Sequence, residues 1–144
     1  MVTAAVLSPE QRAARLSELR RLVEQLSPDV AHVTDADLAE RISDERLTLV
    51  VLLDDDRLVA TATIAVFPTA GLGLVGHVDD VVVDDGQRGK GLGRVLMEAV
   101  HDQARRLGLR HLDLTSRPIR EAANALYQSL GYELRPTNAY RLRL

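Results

Sequence analysis

The chain has 144 residues, 46% of them hydrophobic and 27% charged. That is the length of one ordinary domain, with enough apolar content for a packed core. It has no cysteine, which excludes a disulfide framework, a zinc–thiolate site and a cysteine nucleophile, and no apolar run of about 18 residues, which excludes a membrane-spanning helix. The net charge of −3 divides into −9 over residues 1–86 and +6 over residues 87–144. The basic portion is either an anion-attracting surface or a solvated face. An acidic total and few aromatic residues, three Tyr and one Phe, speak against nucleic acid as a partner. The N-terminus lacks the basic-then-apolar pattern of a signal peptide, so a cytoplasmic protein is expected.

In chain order, the first predicted element is one helix running to Leu26. Ser8 is its N-cap, Pro9 its first residue and Gln11 the closing member of a capping box. Leu16, Leu19, Val23 and Leu26 form the apolar stripe. Thr34 caps a short helix ending near Ile42. Arg46–Leu53 reads as a strand, 54–57 as a hairpin turn, and Leu58–Phe67 as an antiparallel strand. A turn over Pro68–Gly73 leads to a strand over Leu74–Val83. A helix over 92–107 is stopped by Gly108, a strand spans Arg110–Ser116, and a helix over 119–130 is stopped by Gly131. Tyr132–Arg135 and Ala139–Leu144 read as two closing strands. The expected fold is therefore α+β. It has one domain over residues 1–144 and a mixed, mainly antiparallel sheet with helices on both faces.

The most informative stretch is VDDVVVDDGQRGKGLGRVL, Val78 to Leu96. A β-branched run passes into a helix through Gly86, Gly89, Gly91 and Gly93, with Arg88, Lys90 and Arg94 among them. A helix N-terminus exposes unpaired N–H groups and a partial positive charge, and glycines let a ligand approach the backbone. This is the chemistry of a phosphate or pyrophosphate site. A plain tight turn would need only one glycine. The P-loop pattern fails because no Lys-Ser/Thr is present after the glycines. A dinucleotide fingerprint would want glycine where Arg94 stands; Asp113 lies at a suitable distance for a ribose acid, but hairpin-linked strands leave no doubly wound sheet.

The pattern R-x-x-G-x-G, Arg88 to Gly93, directly after VVV resembles the pyrophosphate signature of the GNAT superfamily of acyl-CoA-dependent N-acyltransferases. AANALYQSLGY, Ala122 to Tyr132, resembles that family's tyrosine-bearing helix with LGF or LGY after it. The resemblance covers roughly residues 45–135. The segment from Val75 to Gly93 is similar, in addition, to that of the family's sugar-phosphate acetyltransferases.

The resemblance implies acetyl-CoA as cosubstrate, with no metal, and an amine as acceptor. It implies that Val81, Val82 and Val83 lend backbone hydrogen bonds to the pantetheine arm. Arg88, Gly89, Lys90, Gly91, Leu92, Gly93 and Arg94 would hold the pyrophosphate. Tyr127 would protonate the departing thiolate or hold its sulfur, and Asn124 would bond the CoA arm, while Arg117 and Arg120 either reach the nucleotide phosphates or are merely solvated. An amine with a free pKa of about 10.4 must lose a proton before it attacks a thioester. Asp79 is the favoured base or amine-positioning group, with Asp80 and His77 as alternatives. Strict alternation would place His77, Asp79, Val81 and Val83 on one face and Asp80 on the other. The expected activity is acetyl transfer to the primary amine of a small molecule. The alternatives are a protein or peptide N-acetyltransferase, and a non-catalytic acyl-CoA-binding module. Acids between Asp29 and Glu45 suggest a cationic acceptor, and a homodimer stays open.

Overall fold

A computed structural model describes residues 1–144. Five strands lie in the order β1 (Val2–Leu7), β2 (Leu47–Asp54), β3 (Arg57–Thr69), β4 (Gly73–Val83) and β5 (Leu112–Asp113). The first four pair antiparallel, and β5 pairs parallel to β4. Helices α1 (Pro9–Ala14), α2 (Leu16–Leu26) and α3 (Asp35–Ile42) precede β2. Helix α4 (Leu92–Arg106) joins β4 to β5, and α5 (Glu121–Ser129) comes after β5. This is the expected α+β fold with a mixed, mainly antiparallel sheet.

The β2–β3 connection is a two-residue turn in which Asp55 and Asp56 both have positive φ, 46° and 69°. Its mirror-image twist suits a hairpin, and aspartate is among the residues that tolerate it.

Each face of the sheet has its own core. Val50, Leu52, Ala60, Ala62, Ile64 and Val78 pack against Leu92, Leu96, Met97 and Val100 of α4 and Tyr127 of α5. On the other face Leu49, Val51, Leu58 and Val82 pack against Leu19 and Leu22 of α2. Fully burying each Val, Leu, Ile or Met among them contributes about 1.5–3 kcal/mol. Gly76 brings β5 close: a Cβ there would stand 2.8 Å from Leu112 and 2.9 Å from both Ile64 and Leu109.

Four expectations are corrected. Residues 2–7, read as no element, form edge strand β1, paired with β2 from Val2↔Asp54 to Leu7↔Leu49. The single first helix is two: it breaks at Arg15 (φ −111°, ψ 22°), whose guanidinium reaches Glu18 and, across to the β2–β3 turn, Asp56. The strand expected over 110–116 shrinks to Leu112–Asp113. The two closing strands do not form: no backbone hydrogen bond within the chain involves residues 133–144. Their alternation supplies a strand's faces, but no partner strand meets them.

The N-terminal helices are fastened by Arg12, which is almost fully buried. Its guanidinium donates to the carbonyls of Leu7, Ile42, Asp44 and Leu47 at 2.8–3.3 Å. Without a carboxylate partner, burial pulls its pKa below the ordinary arginine value. No helix is long and apolar enough to cross a membrane.

Candidate active site

Strand β4 carries the site, and its regularity fails at one point. Thr63 pairs with Asp79 and Thr61 with Val82, so two steps of β3 oppose three steps of β4. The extra residue is Asp80, in the left-handed region at φ 49°. Such a bulge reverses the facing of the residues beyond it. Val81 and Val83 pack on the α4 side with Val78, whereas Asp79, paired with Thr63, shares the α2 side with Val82. The expected common face of His77, Asp79, Val81 and Val83 is therefore split. Asp79 Oδ1 accepts the N–H of Asp80 at 2.9 Å and so caps the bulge. Both residues are exposed in area. The Asp80 carboxyl is nonetheless crowded by surrounding protein, and this, with the charge of Asp79, raises its pKa above the usual carboxylate value.

Strand β4 has an open edge beside this bulge. It pairs with β5 only at Gly76 and His77, so from Val78 to Val83 the edge away from β3 is unpaired. An amide-bearing arm can add to such an edge as a strand would.

At the end of β4 the chain makes a 3₁₀ turn over Asp85–Gln87 and enters α4 through Gly91 as N-cap. Gly89 and Gly91 have φ of 81° and 75°, and a Cβ at either would meet nothing within 4 Å. The N–H groups of Gly89, Lys90 and Gly91 donate to nothing in the chain. The N-cap offers no side-chain bond to the first turn of α4. The result is an open nest of free donors at the positive end of a 15-residue helix, the arrangement that suits a pyrophosphate. Gly93 serves differently. A Cβ there would lie 3.2 Å from Leu126, so its small size lets α4 and α5 approach.

The cations around this cradle are tethered. Arg88 pairs with Asp85 at 2.8 Å, Lys90 donates to Gln87 at 2.8 Å, and Arg94 donates to the Ser129 hydroxyl at 2.6 Å. The cradle's foot is Asp84, only 5% exposed. Its carboxylate accepts from Gln25 at 3.0 Å and pairs with Arg21 at 2.8 Å and Arg57 at 3.3 Å. Gln25 returns the bond, its oxygen accepting Asp85 N–H at 2.9 Å. Burial alone would raise the Asp84 pKa, but the bonds from Gln25 and Arg21 and the two arginine charges outweigh it and hold it below the usual value.

Tyr127 lies on α5, 6% exposed, with its ring in the α4-side core. Burial raises its hydroxyl pKa, with Arg120 pulling weakly the other way, so at neutral pH it keeps its proton. Tyr132 meets its ring edge-on at 5.8 Å between centroids. The Tyr132 hydroxyl, pushed up to about 12 by burial and by Tyr127, bonds His101 Nε2 at 2.9 Å. Asn124 spends its amide on the Arg117 carbonyl at 3.0 Å, which fixes the turn into α5. Arg117 and Arg120 are exposed. Tyr132 belongs to the LGY segment; His101, Gln25, Arg21 and Asp84 carried no local signal. A surface depression bounded by Asp37, Glu40, Arg41 and Asp44 on and after α3 shares no residue with this site. No group of three or more His, Asp or Glu side chains is placed to hold a metal.

Comparison with known proteins matches this arrangement. The model of the acetyltransferase (GNAT) family matches residues 14–132. A glucosamine 6-phosphate N-acetyltransferase of Trypanosoma brucei brucei is 36% identical over 78 residues, 53% of this chain and 51% of that protein; the match thus spans about half of that relative. The crystal structure of an acetyltransferase from Trypanosoma brucei superposes with a TM-score of 0.81 at 28% identity, covering 100% of both chains. A ribosomal-protein-alanine N-acetyltransferase from Brucella melitensis biovar Abortus 2308 superposes at 0.82 with 21% identity, covering 100% of this chain and 99% of that one, a likeness of fold alone.

Proposed function

Since the chain belongs to the acetyltransferase (GNAT) family, we propose that it transfers the acetyl group of acetyl-CoA to the primary amine of a small acceptor by direct attack on the thioester. The observation that carries this reading is the nest at Gly89–Gly91. Its N–H groups are free, there is room above the glycines, and it stands at the end of a strand with an open edge. Those parts fit a pyrophosphate and an amide-bearing arm in sequence. The cosubstrate supplies the activated acetyl group, while the chain binds it, orients it and moves protons.

The acceptor nitrogen forms its bond to the acetyl carbon as the carbon–sulfur bond breaks, and two protons must move. One leaves the amine. We assign its removal to the Asp79–Asp80 pair rather than to Asp79 alone, because the expectation of a single facing acid rested on alternation that the bulge ends. Asp79 holds the bulge through the Asp80 N–H, and Asp80 is the carboxylate with raised proton affinity. A raised pKa makes a better base toward an ammonium. The second proton goes to the departing sulfur from Tyr127, kept neutral by burial; the proton taken from nitrogen by the Asp79–Asp80 pair returns to the tyrosine through water, and an acceptor that arrives as ammonium releases one further proton to solvent.

The relative acting on glucosamine 6-phosphate makes phosphorylated amino sugars the first acceptors to try. Release of free CoA thiol from acetyl-CoA is the readout, with amino sugars, their phosphates, aminoglycosides and a peptide with a free N-terminus as candidates. Thiol release with small amines supports the proposal. Release with the peptide alone overturns the small acceptor, and heat of acetyl-CoA binding without thiol from any amine overturns catalysis.

A further inference from the structure

One enclosed side-chain oxygen has no partner. The Ser116 hydroxyl is shut in, and nothing in the chain donates to it or accepts from it. Leaving such a group unpaired costs about 1–3 kcal/mol, and folded proteins keep few of them. Ser116 as a residue is only half-buried; it is the oxygen that is turned inward. A serine has a single χ1 angle with three staggered wells, so a change of well re-aims the hydroxyl without moving the backbone.

Ser116 stands where β4 and β5 part. The two strands pair at Gly76↔Leu112 and His77↔Asp113, and no backbone hydrogen bond involves residues 114–116. Counted on from His77↔Asp113 in parallel register, Ser116 comes level with Asp80, the extra residue of the bulge. It therefore lies on one wall of the gap whose other wall is the open edge of β4. Leu112 and Leu114 turn toward the core that holds the Tyr127 ring, and Ser116 is the next residue of that alternation. The wall is held in place by Asn124, whose amide nitrogen donates to the carbonyl of the adjoining Arg117 at 3.0 Å.

On the acetyl-CoA reading above, we infer that the Ser116 hydroxyl donates a hydrogen bond to the sulfur end of the pantetheine arm, at the amide carbonyl nearest the thioester. The open edge of β4 offers backbone groups to one side of an amide-bearing arm. The amide groups on the arm's other side face the wall that carries Ser116. The level of Ser116 selects the reacting end: it matches Asp80, whereas the pyrophosphate nest at Gly89–Gly91 lies beyond the far end of β4. A hydroxyl suits this place, since it donates one proton and brings no charge to desolvate. No bond inside the protein breaks when the hydroxyl turns outward, so the new bond contributes its whole net worth to affinity.

Titration calorimetry of the parent chain and of Ser116→Ala, with acetyl-CoA, CoA and ADP, tests this; ADP carries a pyrophosphate and no arm. Ser116→Ala should bind acetyl-CoA and CoA about 3–10-fold more weakly and ADP as the parent does. Without ligand it should melt at or above the parent's Tm, because the hydroxyl has no partner to lose. Equal CoA affinity in the two chains overturns the inference while leaving the acetyl-CoA reading intact. An equal loss with ADP also overturns it, since Ser116 would then act through the cradle. A loss confined to acetyl-CoA overturns the amide as partner. A ligand-free Tm lowered by the substitution would make the hydroxyl structural and overturn the inference too. A parent chain that binds neither CoA nor acetyl-CoA overturns the acetyl-CoA reading itself, and this assignment with it.

Discussion

The carboxylate of Asp79 holds the backbone N–H of Asp80 at 2.9 Å, so one acid fixes the left-handed turn from which the next acid projects. The pair differs in consequence. Asp79→Asn keeps an oxygen for that bond, and the bulge should survive; the expected defect is modest and shrinks as pH rises, because more amine is then neutral unaided. Asp80→Asn removes the carboxylate proposed as base and should lower kcat by roughly 10²–10⁴-fold. Equal kcat values for Asp80→Asn and the parent chain would remove Asp80 from the mechanism.

Stability should move the other way at Asp80. Its pKa is raised in the folded chain by crowding and by Asp79, so the folded state holds the proton more tightly than the unfolded state, and ionised Asp80 is destabilising at neutral pH. That destabilisation is relieved as pH falls through the folded pKa. Asparagine is also at ease at positive φ. Asp80→Asn should therefore raise Tm at pH 7, with a smaller gain near pH 4, in parallel melts.

Asp84 has the opposite sign. Its lowered pKa means the ionised form is favoured by folding, so its stabilisation is present above the unfolded value of about 3.9 and fades as pH falls through the folded pKa. Asp84→Asn should lose about 1–3 kcal/mol at pH 7, since Arg21 and Arg57 can partly turn to water. Denaturant midpoints should show the difference narrowing below about pH 4.

Tyr127→Phe keeps the packed ring and deletes the hydroxyl. Turnover should fall by roughly 10²–10⁴-fold, with Tm and acetyl-CoA affinity little changed. An unaltered single-turnover rate would reduce Tyr127 to a packing residue.

The glycines of the cradle should separate by kind. Gly91→Val forces a β-branched residue into the left-handed region, at about 1–2 kcal/mol, and blocks the approach to the N–H groups. Gly91→Asn tolerates the conformation and should keep more of the acetyl-CoA-induced rise in Tm. Gly93→Val should instead lower Tm with and without acetyl-CoA, by pushing on Leu126. A normal Tm for Gly93→Val would refute that packing role.

The legible parts of this chain are those whose signals are local. Pro9 and Ser8 announced α1, Thr34 announced α3, and the glycines with Arg88 announced the cradle. The illegible parts depend on partners far along the chain. β1 is an edge strand whose pairing with β2 joins residues about 50 apart, Val2 with Asp54, and nothing in VTAAVL marks it alone. Alternation in β4 misled because one aspartate in a left-handed conformation is a weak sequence signal with a large effect on facing. Gln25 and Asp84 lie on different elements, and only packing makes them partners. The closing strands failed for the converse reason: their pattern is local, but a strand needs an edge to join.

The two-way bond between Gln25 and the Asp84–Asp85 turn has a consequence for how two ligands sense each other. The turn is the doorstep of the cradle, and Gln25 belongs to α2, the helix on the face shared with Asp79. On the proposed reading, a pyrophosphate seated at the cradle would order the turn, and through Gln25 the end of α2. Whatever tightens one must tighten the other by the same factor. Acetyl-CoA should therefore raise the affinity for the amine, the amine should raise that for acetyl-CoA equally, and Gln25→Ala should bring the shared factor toward one in paired titrations.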